Sequence, residues 1–274
     1  MRIKFGIRDN EASVAQSELV LAPIRQAFPG FSVELVTVDA AGHHLKETKE
    51  LEQALWDGLV DFVIHPLELL PSDGSEELPL VTYACRVPKK YGLVLAENEK
   101  KLPKAKAIGC FTPLQAVQLK ELYPKHEILL LDQPPVLCLR LFHSSTIGAL
   151  VLESTYIEEL DLAARVEHWF RARELVEPAG SGILAVQTRR GTDCECLKPV
   201  ADQEATCCAL AERAFLRTAK GDPALTGAYA VVEEDQLVLT GITALPGQTP
   251  QKGDIFGTPR QAAMLGEMLA NHFD

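Results

Sequence analysis

The stretch Lys46-Glu-Thr-Lys-Glu-Leu-Glu-Gln-Ala-Leu-Trp-Asp-Gly-Leu-Val-Asp-Phe-Val-Ile-His65 decides how this chain folds. Leu51, Ala54, Leu55 and Leu59 recur at helical spacing across Lys46–Leu59, so one helix face is apolar. The period then changes abruptly. Asp61–His65 is a short, nearly continuous apolar run, the pattern of a buried strand. Upstream, Arg2–Ile7 alternates as a strand does, and Ser32–Val38 reads as a second strand after the Pro29-Gly30 turn. Between them, Ala12–Phe28 carries Ala12, Ala15, Leu19, Val20 and Ile24 at helical spacing, with Pro23 expected to end or kink the helix. The order β-α-β-α-β predicts a mostly parallel sheet with helices packed on it.

The pattern returns downstream. Tyr91–Ala96 and Ala107–Cys110 read as strands, and Thr112-Pro113 is a helix start with Thr as cap and Pro at the first position. That helix runs to about Leu122, followed by a strand at Glu127–Leu131, a helix at Pro135–His143 and a strand at Gly148–Glu153. Two successive units of similar size imply two similar α/β domains with a cleft between them. The last part differs: a long helix at Asp202–Lys220, strands at Ala228–Val232 and Gln236–Ile242 joined by Glu233-Glu234-Asp235, and a closing helix at Arg260–Phe273. This is an α+β module.

Composition narrows the function classes. The chain has 274 residues, 47% hydrophobic and 24% charged, with a formal net charge of −11. That charge repels nucleic acid and anionic membranes, so neither is expected as a partner. Seven scattered cysteines, no apolar leader and no long apolar run predict a cytoplasmic protein with free thiols. Cys194-Glu-Cys196 and Cys207-Cys208 do not have a zinc spacing, so no metal is expected.

Several segments carry a family resemblance. Gly6-Ile-Arg8 followed by Ala15-Gln16 resembles the opening "GTRxSxLAxxQ" of porphobilinogen deaminases (hydroxymethylbilane synthases). Lys49-Glu-Leu-Glu52, then Asp61-Phe-Val-Ile-His65 and Pro71, is similar to "KELE … DIAVHSMKDLP". Pro178-Ala-Gly-Ser-Gly182-Ile-Leu-Ala185 resembles "PAPGQGALA", and Ala211-Glu-Arg-Ala-Phe-Leu-Arg217 with Gly227-Ala-Tyr-Ala230 resembles the start of the third domain. The resemblance implies two periplasmic-binding-protein-like α/β domains flanking a cleft, plus a C-terminal α+β domain. Its expected boundaries are 1–87 with 180–198, 88–179, and 199–274. It also implies tetrapyrrole chemistry. The family joins four porphobilinogen units on a dipyrromethane cofactor tethered by a cysteine, with a catalytic aspartate and arginines that clamp carboxylates.

Against that pattern the expected equipment is missing. In His65-Pro66-Leu67-Glu68-Leu69-Leu70-Pro71, Leu69 stands at the aspartate position and Glu68 at the preceding lysine. Asp222 stands at the tether position, so the dipyrromethane is expected to be absent. Leu114 and Gln115 replace two arginines, and Asp132 and Cys138 replace two more, while Arg8 and Arg140 remain. Gly42-His-His44 is a poor match to the family's lid segment, with Glu47 where a phenylalanine is expected.

The resemblance and the losses together predict a protein that no longer polymerises porphobilinogen. It would bind a pyrrole, porphyrin or other anion in the cleft through Arg8, Asn10, Gln16, Thr112, Gln115 and Ser181. An open cleft lined by Leu69, Phe111 and Leu114 would suit such a ligand, whereas a filled one would suit a scaffold acting on an unknown protein partner. The competing expectation is a working transferase with substitute residues, Glu68 being the weak candidate for its acid.

Overall fold

The computed structural model describes residues 2–38, 44–97, 99–140 and 146–273, with the side chains of 44–47 and 136 outside the description. Strand β1 (Arg2–Arg8), helix α1 (Glu11–Ala27), β2 (Ser32–Val38), α2 (His44–Trp56) and β3 (Phe62–Pro66) follow in the expected order. β1 lies between β2 and β3 and is parallel to both. After β4 (Leu80–Arg86) the chain leaves this sheet. It returns as β10 (Ile183–Thr188), which inserts between β3 and β4 and is antiparallel to both.

The second sheet repeats this order. β5 (Tyr91–Leu95) comes first, followed by β6 (Ala107–Cys110), α3 (Pro113–Leu122), β7 (Ile128–Leu130), α4 (Pro135–Cys138) and β8 (Ile147–Glu153). After α5 (Ser154–Glu159), β9 (Val166–Trp169) completes the sheet β7-β6-β8-β5-β9, which matches β2-β1-β3-β10-β4 position for position. In each sheet the fourth strand is antiparallel and is supplied just after the chain crosses over. These are two similar α/β domains.

The C-terminal α+β domain comprises α6 (Gln203–Thr218), β11 (Gly227–Glu233), β12 (Gln236–Thr243), β13 (Gln251–Gly257) and α7 (Ala262–His272). Its three strands are antiparallel, and Ala228, Ala230, Leu237 and Leu239 pack on Phe215, Leu265 and Leu269 of the two helices. The same core takes in Leu67, Leu70, Ile183 and Ala185 of the first domain. Phe215 is fully buried at its centre, and such burial contributes roughly 1.5–3 kcal/mol.

One buried carboxylate pins three parts of the chain. Glu212 of α6 is 0% exposed. Its Oε1 accepts from Arg86 Nη2 at 2.5 Å and from Ala230 N at 2.7 Å, and its Oε2 accepts from Gly180 N at 2.7 Å. Next to it on α6, the Arg213 guanidinium donates to the carbonyls of Pro71 and Ser72. The sequence Ala211-Glu-Arg-Ala therefore fastens the third domain to the first domain and to the crossover.

Three local expectations are corrected. Pro23 does not end α1, which continues to Ala27; Leu19, the residue whose carbonyl loses its donor, is exposed. The buried face of α1 is Ser13, Ser17, Val20, Leu21 and Ile24, whereas Ala12 and Ala15 are exposed. Leu59 is 58% exposed because the chain turns at Gly58 (φ +68°), and Val60 takes the core position instead. The segment expected as a helix from Pro135 is α-helical to Cys138 and continues as a 3-10 turn at Leu139 and Arg140, and residues 141–145 lie outside the described residues.

Candidate functional site

Two chain segments cross between the α/β domains, Arg86–Tyr91 and Glu177–Ile183, and they bond to each other through Val87 N to Gly182 O at 2.8 Å. Glycine is required twice here. At Gly182 (φ +73°) an added Cβ would lie 2.1 Å from Val87 O. At Gly180 (φ +85°) it would lie 2.7 Å from Leu67 Cγ and 3.1 Å from Glu68 N. The second crossing thus lies directly on the segment that follows β3. There, a single turn at Leu67–Leu69 sends Leu67 and Leu70 inward and leaves Glu68 and Leu69 half-buried.

A set of polar groups converges around this double crossing. Glu68 Oε1 pairs with Lys89 Nζ at 2.6 Å. Burial works against the Lys89 ammonium, but Glu68 and two further carboxylates outweigh it and hold its pKa above the usual value. Glu177 is 4% exposed and accepts from the Ser181 hydroxyl. Burial pushes its carboxyl up to about 7, with Ser181 and Lys89 pulling the other way. The Tyr91 phenol is pushed up by burial and then by the negative charges of Glu177, Glu153 and Glu68. Tyr91, Thr112, Leu114, Gln115, Glu177 and Pro178 line a cavity of about 40 Å³. The site therefore offers a carboxylic acid near its titration midpoint at neutral pH, beside hydroxyl and amide groups.

Of the residues singled out from the sequence, Thr112 and Gln115 line this cavity, and Ser181 reaches it through Glu177. Thr112 also caps α3, its oxygen accepting from Gln115 N at 3.1 Å, while Gln115 Oε1 accepts from Phe111 N at 3.0 Å. Arg8, Asn10 and Gln16 stand on the first domain, at the end of β1 and on α1. Arg8 is half-buried, and Asn10 caps α1 by accepting from Ser13 N at 2.8 Å. His65 is buried and bonded to Gln187 at 3.0 Å; burial lowers its pKa to about 4, so it is neutral.

Leu114 touches the cavity but is mainly packed against Val176, Ile242 and Tyr229, and Phe111 packs beside Leu150, Leu152 and Cys138. Asp132 is exposed, while Cys138 is fully buried and its thiol donates to Gln133 O at 3.4 Å. Asp222 caps the turn Pro223–Leu225: its carboxylate accepts from Ala224 N at 2.8 Å, and its own N–H donates to Ala244 O at 2.8 Å. Gly42 and His43 lie outside the described residues, as do the side chains of His44 and Glu47.

All seven cysteines are free thiols. Burial pushes each of them above its ordinary pKa, including Cys194 and Cys207, with Cys110 and Cys196 at about 11 and Cys208 at about 12. None is an activated thiolate. Among the described residues no group of three His, Cys, Asp or Glu is placed to hold a metal, and no helix is long and apolar enough to cross a membrane.

Sequence reasoning missed Lys89, Tyr91 and Glu177. Lys89 and Glu177 lie in the crossing segments, where no periodicity marks which side chains turn inward, and Tyr91 stands where the first crossing enters β5. A glutamate directly before the Pro178-Ala-Gly-Ser-Gly182 turn was the available signal.

The family described as "Porphobilinogen deaminase, dipyromethane cofactor binding domain" matches residues 3–196. A porphobilinogen deaminase of Alkaliphilus oremlandii is 31% identical, over 98% of this chain and 96% of its own length. One from Ruminiclostridium josui is 29% identical, over 88% of this chain and 86% of its own length. Among solved structures, a TRAP periplasmic solute binding protein from Desulfovibrio salexigens is 9% identical, covers 76% of this chain and 74% of its own, and has a TM-score of 0.48.

Proposed function

Because the chain belongs to the porphobilinogen deaminase family, we propose that it is a member that no longer joins porphobilinogen units and binds a small ligand between its two α/β domains. The observation that carries this reading is Asp222. At the position that the family resemblance gives to the tether, an aspartate is spent on capping a turn, with both its carboxylate and its N–H engaged. A thioether needs a thiol, the 220–226 loop contains none, and the thiols elsewhere are held protonated. The residues present do not fit a tethered dipyrromethane. Leu69 adds to this, since an alkyl side chain can neither stabilise a pyrrole cation nor move a proton.

The ligand would be held by Thr112, Gln115 and Ser181 from the second domain and crossover, facing Arg8 and Asn10 on the first. A cavity of about 40 Å³ holds about one water, so a pyrrole enters only when the domains part about the double crossing. Intact-mass measurement and a porphobilinogen-consumption assay test the loss of polymerisation. The expected results are an unmodified mass and no consumption, and a dipyrromethane adduct would overturn the reading. Thermal-shift titration with porphobilinogen, a linear tetrapyrrole and a porphyrin tests the ligand. Stabilisation by none of them would leave a scaffold role in its place.

One observation favours the competing reading of a working transferase. Glu177 is a carboxylic acid with a pKa of about 7, held next to the segment that carries Leu69. Glu68 suits the task less well, being tied to Lys89. If consumption of porphobilinogen is found, Glu177→Gln abolishes it under this second reading and Glu68→Gln does not.

A further inference from the structure

A second groove lies on the face of the third domain's sheet that the helices leave uncovered, beside the crossover, where the Arg86 guanidinium stands 4.6 Å from the centre of the Tyr229 ring. Alternation along the strands decides that face. Ala228 and Ala230 of β11 and Leu237 and Leu239 of β12 point into the helices, so Tyr229, Val231, Val238 and Thr240 point the other way. Val231 stands opposite Val238, and Tyr229 opposite Thr240, which makes a mostly apolar floor. The loop 171–175 of the second domain forms a wall over it, leaving a groove of about 350 Å³, within the usual range for small-molecule sites.

The wall is fixed rather than loose. Arg171 N donates to the Glu174 carboxylate at 2.8 Å, Lys252 of β13 donates to Glu174 O at 2.8 Å, and Leu175 is buried in the second domain's core. The side chains of Arg171 and Arg173 both line the groove. Neither guanidinium has a side-chain hydrogen bond or ion pair among the described residues; Arg173 stands 5.9 Å from the centre of the Phe256 ring. Among the lining residues Arg171 and Arg173 stand with one acidic side chain, Glu233; Asp254, bonded to Thr240 at 2.6 Å, and the Glu174 carboxylate lie at the groove's margin. This is an apolar-floored groove with two guanidiniums on its wall, on a chain whose net charge is −11.

We propose that this groove between the second and third domains binds an aromatic carboxylate, its ring on the Tyr229–Val231–Val238 floor and its charge on Arg171 and Arg173. Planar guanidiniums match carboxylates in shape and donor spacing, and a flat apolar floor selects a flat body over a hydrated inorganic ion. The site shares no lining residue with the cavity at the double crossing. It therefore stands whichever reading of that cavity holds.

Titration calorimetry on the full chain with isophthalate (benzene-1,3-dicarboxylate) is the test. Saturable binding is expected, weakening as salt rises. Arg171→Ala and Arg173→Ala should each weaken it about tenfold, and the pair about a hundredfold, from the loss of one charge-assisted contact apiece. Both side chains are exposed, so these variants should keep the wild-type circular dichroism and melting curve. Val231→Glu, which places a like charge on the floor, should abolish binding. The proposal is overturned if wild type shows no saturable heat, if the dimethyl ester of isophthalate binds as well as the acid, or if the double variant binds as tightly as wild type.

Discussion

Glu177 and Glu212 are both buried glutamates at places where domains meet, but their surroundings differ. Glu212 has three donors on its two oxygens, one of them a guanidinium, and each comes from a different part of the chain. Glu177 has a serine hydroxyl, with Lys89 near it but already paired to Glu68. Burial pushes both carboxyls up, but only Glu212 is given a cation in direct contact to oppose that push. The lesson is that burial alone does not tell a structural carboxylate from an adjustable one. The donor set does: Glu212 is a fixed pin, and Glu177 is a group that can take or release a proton near neutral pH.

The harshest way to break this comparison is to remove the pin. Glu212→Ala would leave Arg86 buried beside Tyr229 without its partner and would unsatisfy the Gly180 and Ala230 amides. An expected cost of about 3–5 kcal/mol should show as a large drop in the urea midpoint. If the drop is small, the junction is not the pin described above.

Next in size is a pH effect at Glu177. Its folded pKa of about 7 lies above the ordinary 4.5, so the folded state holds this proton more tightly than the unfolded chain. Its stabilising effect is complete below pH 4.5 and is lost as pH rises to about 7, a change of about 3 kcal/mol. His65 acts in the opposite direction. Its folded pKa of about 4 lies below 6.5, so stability falls as pH drops through that window. The two slopes oppose each other in wild type. Glu177→Gln should remove one of them, giving a protein more stable than wild type at pH 8 and visibly acid-sensitive between pH 6.5 and pH 4 in urea titrations. A pH profile identical to wild type would mean that Glu177 does not titrate as described.

The finest test is Ser181→Ala. Removing the donor should push the Glu177 pKa higher still and cost about 1 kcal/mol at neutral pH. The midpoint of the pH-dependent stability change, followed by denaturation at several pH values, should move upward. A midpoint that moves downward would break the assignment.

Much of the fold was legible because periodicity survives wherever a segment has one wet face. Helix α3 was delimited by Thr112 and Pro113, and β6 by its apolar run, in agreement with the structure. β13 is not marked in the sequence because Gln251-Lys-Gly-Asp-Ile-Phe-Gly257 has no apolar alternation; Gly253 and Gly257 stand where apolar residues would, with an added Cβ 3.3 Å from Phe273 and 2.8 Å from Leu265. The site was less legible. Thr112, Gln115 and Ser181 could be named from cap and turn chemistry and from the family resemblance, but Tyr91 and Glu177 could not. They meet only because two crossings far apart in sequence run side by side.

The sequence by itself determined the repeated α/β pattern, the family and the identity of the side chains at each family position, because these rest on local period and residue type. Only the tertiary structure decided which carboxylates are paired and which are poised, which leucines fill the core, and where guanidiniums stand over an apolar floor. Those outcomes depend on partners brought from other parts of the chain. A glutamate's chemistry is set less by its own identity than by the donors that folding carries to it.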